Sequence, residues 1–132
     1  MNSNVLSERP SADGSKQEGI LLIVDNDPMV CRMLCRRLLS SFEELHTACT
    51  RETAEQKLAA EPITHLVCDN DLGLGVLKGS ELVERWRKEY PSIERAVLFS
   101  GDMDVAAHKA SGIDAVIYKT MDFDELAKSL GL

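Results

Sequence analysis

The stretch Ile20-Leu21-Leu22-Ile23-Val24-Asp25-Asn26-Asp27-Pro28 decides the fold. Its apolar half, mostly β-branched and without a polar interruption, reads as a strand buried on both faces, as strands inside a parallel sheet are. The strand runs straight into polar residues. Asp27 followed by Pro28 is a helix N-cap with proline at the first helical position, starting a helix that extends to about Ser41. Strand, acidic loop and helix therefore follow one another without a spacer, as in the first half of a β-α unit.

The same alternation recurs along the chain. His65-Leu66-Val67-Cys68, Ala96-Val97-Leu98-Phe99 and Ala115-Val116-Ile117-Tyr118 are further short apolar runs, and the weaker Leu45-His46-Thr47-Ala48-Cys49 suits a sheet edge. Thr50 is positioned to cap a second helix, which carries Ala54 and Leu58 and stops before Pro62. Ser80 is read as the cap of a third, with Leu82, Val83, Trp86 and Tyr90 at helical spacing before Pro91. Asp102 or Asp104 opens a short fourth helix ending at Gly112. Asp122 with Glu125 makes an acidic capping box for a fifth, whose apolar face is Phe123, Leu126, Ala127 and Leu130. The expected architecture is α/β, a (βα)5 doubly wound parallel sheet of five strands with helices on both faces.

The chain has 132 residues, 15 of them basic and 22 acidic, for a formal charge of −7. That length suits one domain with a single core. The acidic balance argues against nucleic-acid or anionic-membrane partners, which a protein meets with a cationic face. No run of about 18 apolar residues occurs and the N-terminus lacks the pattern of a secretion signal, so a cytoplasmic location is expected. Residues 1–19, polar and broken by Pro10, Gly14 and Gly19, read as a flexible tail, and residues 20–132 as the domain. The four cysteines show no Cys-x-x-Cys spacing and are expected to be free thiols. Cys31 and Cys35 belong with Val30, Leu34 and Leu38 to one apolar helical stripe.

In sheets of this class chemistry collects at the C-terminal strand ends. There the sequence places Asp25-Asn26-Asp27, Asp69-Asn70-Asp71, Ser100-Gly101-Asp102 and Lys119. Carboxylates crowded on one rim repel, and a hard cation such as Mg²⁺ with oxygen ligands relieves them. A hydroxyl and an ammonium on the same rim point to phosphate chemistry. His46, His65 and His108 fall on an edge strand, a strand start and a helix surface and are read as structural.

The motifs Ile23-Val24-Asp25-Asn26-Asp27-Pro28, Leu66-Val67-Cys68-Asp69, Leu98-Phe99-Ser100-Gly101 and Tyr118-Lys119, in this order and at these strand ends, resemble the receiver domain of two-component response regulators. The resemblance covers Ile20 to about Leu130 and implies a flavodoxin-like sheet of order 2-1-3-4-5, as in the stand-alone chemotaxis regulator. It implies that Asp69 is the phosphoacceptor, forming an aspartyl phosphate with a phosphoryl group from a histidine kinase or phosphotransfer protein. Mg²⁺ would be held by Asp25, Asn26, Asp69 and the backbone carbonyl of Asp71. Lys119 would pair with Asp69 or the incoming phosphoryl oxygen, and Ser100 would bond the phosphoryl group beside Gly101, with Asn70, Asp71 and Asp102 as neighbours. Output would pass to a downstream protein through the face made by the fourth helix, fifth strand and fifth helix.

Several positions depart from that pattern. Asn26 stands where the family carries a second acidic metal ligand, which weakens the expected Mg²⁺ site. Thr120 replaces the proline after the lysine, and Val116 the switch aromatic, with Tyr118 further along the same strand face. Gly79 follows Asp69 by ten positions where the family's glycine follows by about eight, leaving a longer loop with Gly73 and Gly75. That loop is no nucleotide-binding P-loop, because Lys78-Gly79-Ser80 has the wrong order. The expected function is phosphoacceptance in a two-component phosphorelay by a stand-alone receiver. It is a signalling protein and not an enzyme beyond self-phosphorylation and self-dephosphorylation. The alternative is a pseudo-receiver that works through protein contacts without phosphate, which Asn26, Val116 and Thr120 favour. A flavodoxin-like cofactor binder or small hydrolase ranks third, since neither a phosphate-cradling loop after the first strand nor a nucleophile, histidine and carboxylate set is evident.

Overall fold

A computed structural model of the chain describes residues 17–73, 77–101, 112–119 and 123–132. The expected fourth helix, with Asp102, Asp104 and His108, lies outside the described residues except for its end at Gly112, as do Thr120, Asp122 and most of the N-terminal segment.

The elements run β1 (Gln17–Val24), α1 (Pro28–Leu38) with a 3₁₀ turn at Leu39–Ser41, β2 (Phe42–Ala48), α2 (Arg51–Ala60), β3 (His65–Asp69), α3 (Gly79–Glu89), β4 (Arg95–Ser100), β5 (Ala115–Tyr118) and the C-terminal helix α4 (Phe123–Ser129). All strands pair in parallel in one sheet of order β2-β1-β3-β4-β5. The strand order reverses between β1 and β3, and because the two run parallel their C-terminal ends lie side by side, with Val24 opposite Cys68.

Alternation along the strands divides the core between the two faces. Leu22, Val24, Leu66, Cys68, Ala96 and Leu98 pack with Ala54 and Leu58 of α2 and Leu82, Val83 and Trp86 of α3. On the other face, Leu21, Ile23, Val67, Val97 and Phe99 pack with Cys31, Leu34 and Leu38 of α1 and Leu126 of α4. The stripe read for α1 holds, with Cys31, Leu34 and Leu38 buried and Val30 and Cys35 packed at its margin. Trp86 is fully buried, and its indole N–H donates to Glu55 Oε2 at 3.1 Å, joining α3 to α2. All four cysteines are free. Among the described residues no helix is long and apolar enough to cross a membrane.

Three boundaries differ from the sequence reading, one of them β2, which starts at Phe42, ahead of the expected Leu45. β1 begins at Gln17, inside the segment read as tail, because it is recruited through its backbone, with Gln17 opposite Phe42 and the Gly19 N–H donating to Glu43 Oε1 at 3.1 Å. Hydropathy does not report that pairing. The cap of α3 is Lys78 and not Ser80, whose N–H is taken by Asn70 Oδ1 at 3.2 Å, so the helix starts at Gly79. The other two caps are as expected. Asp27 accepts the Met29 N–H at 3.0 Å, and Thr50 Oγ1 accepts that of Thr53 at 3.1 Å.

Candidate functional site

The rim is built from the last residues of four strands. β1 delivers Asp25 and β3 delivers Asp69, which are 1% and 4% exposed although both are carboxylates. Each is held the same way by its own loop. Asp25 Oδ1 accepts the N–H of Asp27 at 2.9 Å, and Asp69 Oδ1 accepts that of Asp71 at 3.2 Å. The two tight Asx turns leave both Oδ2 atoms facing Lys119, whose Nζ lies 2.9 Å from Asp25 and 3.4 Å from Asp69. Asp25 Oδ2 is shut off from solvent and makes no aligned hydrogen bond, so the ammonium is its charge partner and little else satisfies it.

Lys119 is fixed in turn by its backbone N–H, which donates to Ser100 O at 2.9 Å and fastens the end of β5 to that of β4. Below Asp25, the Cys31 thiol donates to the Asp25 carbonyl at 3.3 Å, stitching α1 under the strand end. Burial, the neighbouring Cys49 thiol and Asp25 push that thiol up to about 12, so Cys31 is a neutral packing group.

The electrostatics follow from one cation serving two carboxylates. Burial raises the Asp69 carboxyl above its ordinary 3.8 and the nearby Asp25 raises it further, against the pull of the Asp71 N–H and Lys119. Burial alone would lower Lys119, but Asp25 and Asp69 together outweigh it and leave the ammonium raised. The unit thus retains an excess negative charge in a poorly solvated place.

Above it opens a cleft of about 510 Å³ lined by Asn26, Asp27, Asp69, Asn70, Asp71, Lys78, Ser100, Gly101 and Lys119. Every described residue expected at the site is in this lining except Asp25, which lies immediately beneath it. Asp102 lies outside the described residues. Asn70 also has a structural task. Its carbonyl accepts the Gly79 N–H at 2.9 Å and its side chain the Ser80 N–H, so it ties the start of α3 to the end of β3. Gly79 itself rests against the main chain of Asp69 and Asn70, where an added Cβ would stand against the Asp69 carbonyl oxygen and 2.8 Å from Asn70 Cα. Despite the longer loop, this glycine still seats the helix on the strand end.

Lys78 in the lining is the residue that sequence reasoning missed, since its motif had been considered only to reject a P-loop. The available signal was Gly79: a glycine that must abut the Asp69 backbone carries its preceding neighbour to the site.

Compared with solved structures, the chain has a TM-score of 0.76 and 25% identity to the signal receiver domain of an HD domain-containing protein from Pseudomonas fluorescens, over 87% of this chain and 93% of that one. It is also similar to a CheY-like response regulator receiver domain from Methanospirillum hungatei, with a TM-score of 0.75 and 22% identity over 87% and 92% of the two chains. The fold is that of a response-regulator receiver domain. A third such receiver-type structure, a response regulator protein from Thermotoga maritima in complex with Mg²⁺ and BeF, has a TM-score of 0.74 and 21% identity over 86% and 96%. No family model matches the sequence, and no curated protein matches it.

Two further features of this receiver fold bear on the sequence expectations. Val116 and Tyr118 are both only partly buried and pack against the α2–α3 side of the core, with Tyr118 in register beside Ser100. Away from the rim, Glu44, His46 and Glu61 bring their ligand atoms within 4.8 Å of one another, and the Glu44–His46 contact is a 3.0 Å hydrogen bond on the outer strand.

Proposed function

We propose that this domain accepts a phosphoryl group on Asp69 and signals through protein contacts. The observation that carries the reading is the pair of buried carboxylates, Asp25 and Asp69, sharing the single ammonium of Lys119 beneath a cleft that also presents Ser100. A structural salt bridge would match one charge with one. Here two anions share one cation, and a buried Asp25 oxygen lacks an aligned donor. Such a site binds further positive charge, and its donors are all oxygens: the Asp25 and Asp69 carboxylates, the Asn26 amide and the Asp71 carbonyl. That set suits a hard divalent ion such as Mg²⁺, with one charge fewer than a fully acidic site would give. When bound, Mg²⁺ neutralises the repulsion between carboxylate and phosphoryl group.

In the proposed step, an Asp69 carboxylate oxygen attacks phosphorus on a phosphohistidine of a kinase or phosphotransfer protein. The P–O bond forms as the P–N bond breaks, and the imidazole leaves with the electron pair. The Asp71 N–H holds Asp69 Oδ1 and so orients the other oxygen. Lys119 neutralises the oxygen that the phosphoryl group approaches, and the Ser100 hydroxyl donates to the aspartyl phosphate. Output then passes through the side of the fold that includes β5 and α4. A cytoplasmic location suits that role.

Incubation with acetyl phosphate and Mg²⁺ is expected to add one phosphoryl mass to the intact protein and none to Asp69→Ala. An absent adduct in the wild type, together with no measurable Mg²⁺ binding, would support the second reading. In that reading the domain is an interaction module whose Lys119 permanently neutralises Asp25, which Asn26 and the short 2.9 Å contact favour.

A further inference from the structure

We infer that Lys78 is a second phosphoryl-binding ammonium of this site, one that replaces part of the work of the divalent cation. The inference rests on the reading of Asp69 as phosphoacceptor and concerns a residue that the resemblance does not assign.

Gly79 cannot leave the rim. Its Cα is packed on the Asp69–Asn70 main chain, its N–H donates to the Asn70 carbonyl at 2.9 Å, and the following Ser80 N–H is held by Asn70 Oδ1. Lys78 precedes it directly and is pinned from its own side, since its backbone N–H donates to Glu81 Oε1 at 3.0 Å. The extended loop therefore ends with an anchored lysine, which lines the cleft together with Lys119, Ser100 and Gly101. Lys78 is exposed and lines the same cleft as the half-buried Lys119.

The charge inventory gives this lysine a task. Asn26 leaves the pocket one carboxylate short, which weakens its hold on a divalent ion. Of the acidic groups in the lining, Asp27 is engaged by the Met29 N–H and Asp71 by the Gly73 N–H at 3.2 Å. With less metal charge to draw on, an incoming phosphoryl group meets two ammonium groups, that of Lys119 beside Asp69 and that of Lys78 in the cleft lining. Lysine is a point-charge phosphate binder and suits that position without demanding a fixed geometry.

The test compares wild type, Lys78→Ala and Lys78→Arg. The rate of acetyl phosphate labelling is followed by intact mass over a range of Mg²⁺ concentrations, and Mg²⁺ affinity is measured by calorimetry without phosphodonor. Lys78→Ala is expected to label roughly fivefold more slowly at low Mg²⁺, the size of one exposed charge contact, with the deficit shrinking as Mg²⁺ saturates. The same variant should bind Mg²⁺ somewhat more tightly, since a like charge has gone, and Lys78→Arg should restore both values. Equal labelling and equal Mg²⁺ affinity in wild type and Lys78→Ala would overturn the role of Lys78 while leaving Asp69 as acceptor. A wild type that takes up no phosphoryl group at any Mg²⁺ concentration would overturn the acceptor reading and this inference with it.

Discussion

β3 is buried along its whole length and carries a titratable side chain at each end, His65 where it starts and Asp69 where it stops. Both are 4% exposed and both, with Val67, point to the same face of the sheet. Burial pushes each towards its neutral form, the imidazole below its ordinary 6.5 and the carboxyl above its ordinary 3.8. The difference lies in what surrounds them. His65 has the Thr64 hydroxyl 2.8 Å from Nδ1 and the Phe42 ring edge-on, with centroids 5.0 Å apart, and Gly19 leaves the space above them clear. Glu94 and Arg95, one of each charge, act on the imidazole in opposite directions. Asp69 is surrounded by a second carboxylate, a shared lysine and an open cleft. The same burial therefore gives a packed imidazole at one end of the strand and, at the other, a carboxylate that opens on a cleft.

The largest effect is expected where the Asp69 end is held together. Gly79→Ala places a methyl group against the backbone of Asp69 and Asn70, which cannot yield as a side chain tip would, and should cost about 3 kcal/mol. In a domain of this size that lowers the melting temperature by about 10 °C, readable by calorimetry. A near-neutral result would show that α3 is not seated on the strand end.

His65→Ala comes next, at about 2 kcal/mol for the lost packing. The pH dependence separates this end from the other. Because the folded imidazole is depressed, the stability tied to its neutral form is complete above 6.5 and drains away as pH falls towards the folded value. Wild type should lose stability over that window and His65→Ala should not. Parallel pH curves for the two proteins would remove the contrast.

What could be read in advance follows the same division. Asp25, Asp69, Ser100 and Lys119 were legible because each ends an apolar run, and a parallel sheet places such ends on one rim. The Asp27-Pro28 cap was legible because its chemistry is local. Lys78 was not, since its place depends on Gly79 meeting Asp69 across a loop whose length differs from the family's. Ser80 misled because a residue suited to capping had its N–H already taken by Asn70, ten positions back. Gln17 to Gly19 escaped because they join the sheet through backbone pairing that hydropathy does not encode. The asymmetry between the two ends of β3 was legible in kind, since His65 starts the strand and Asp69 ends it on the rim, but the contacts that neighbouring strands make with each were not.

The smallest effect is the most diagnostic of the comparison. Asp69→Asn keeps the shape of the side chain and its acceptor oxygen for the Asp71 N–H while removing one of two carboxylates that share a lysine. Lys119 retains its closer partner, Asp25, at 2.9 Å. Since the folded carboxyl is raised, wild-type Asp69 subtracts stability once it ionises, so the substitution should modestly stabilise the protein at neutral pH, read as a raised melting temperature. The sign fixes the window. The gain should be full above the folded value and should vanish as pH falls below 3.8, where Asp69 is protonated in folded and unfolded chains alike. The proposed phosphoryl acceptance should disappear in the same variant, because an amide has no anionic oxygen to offer. A site that gains stability as it loses its chemistry is one whose strain belongs to function. If Asp69→Asn instead destabilised the fold at neutral pH, Lys119 would hold the pair more strongly than the two carboxylates repel, and Asp69 would be a structural residue like His65 at the far end of its own strand.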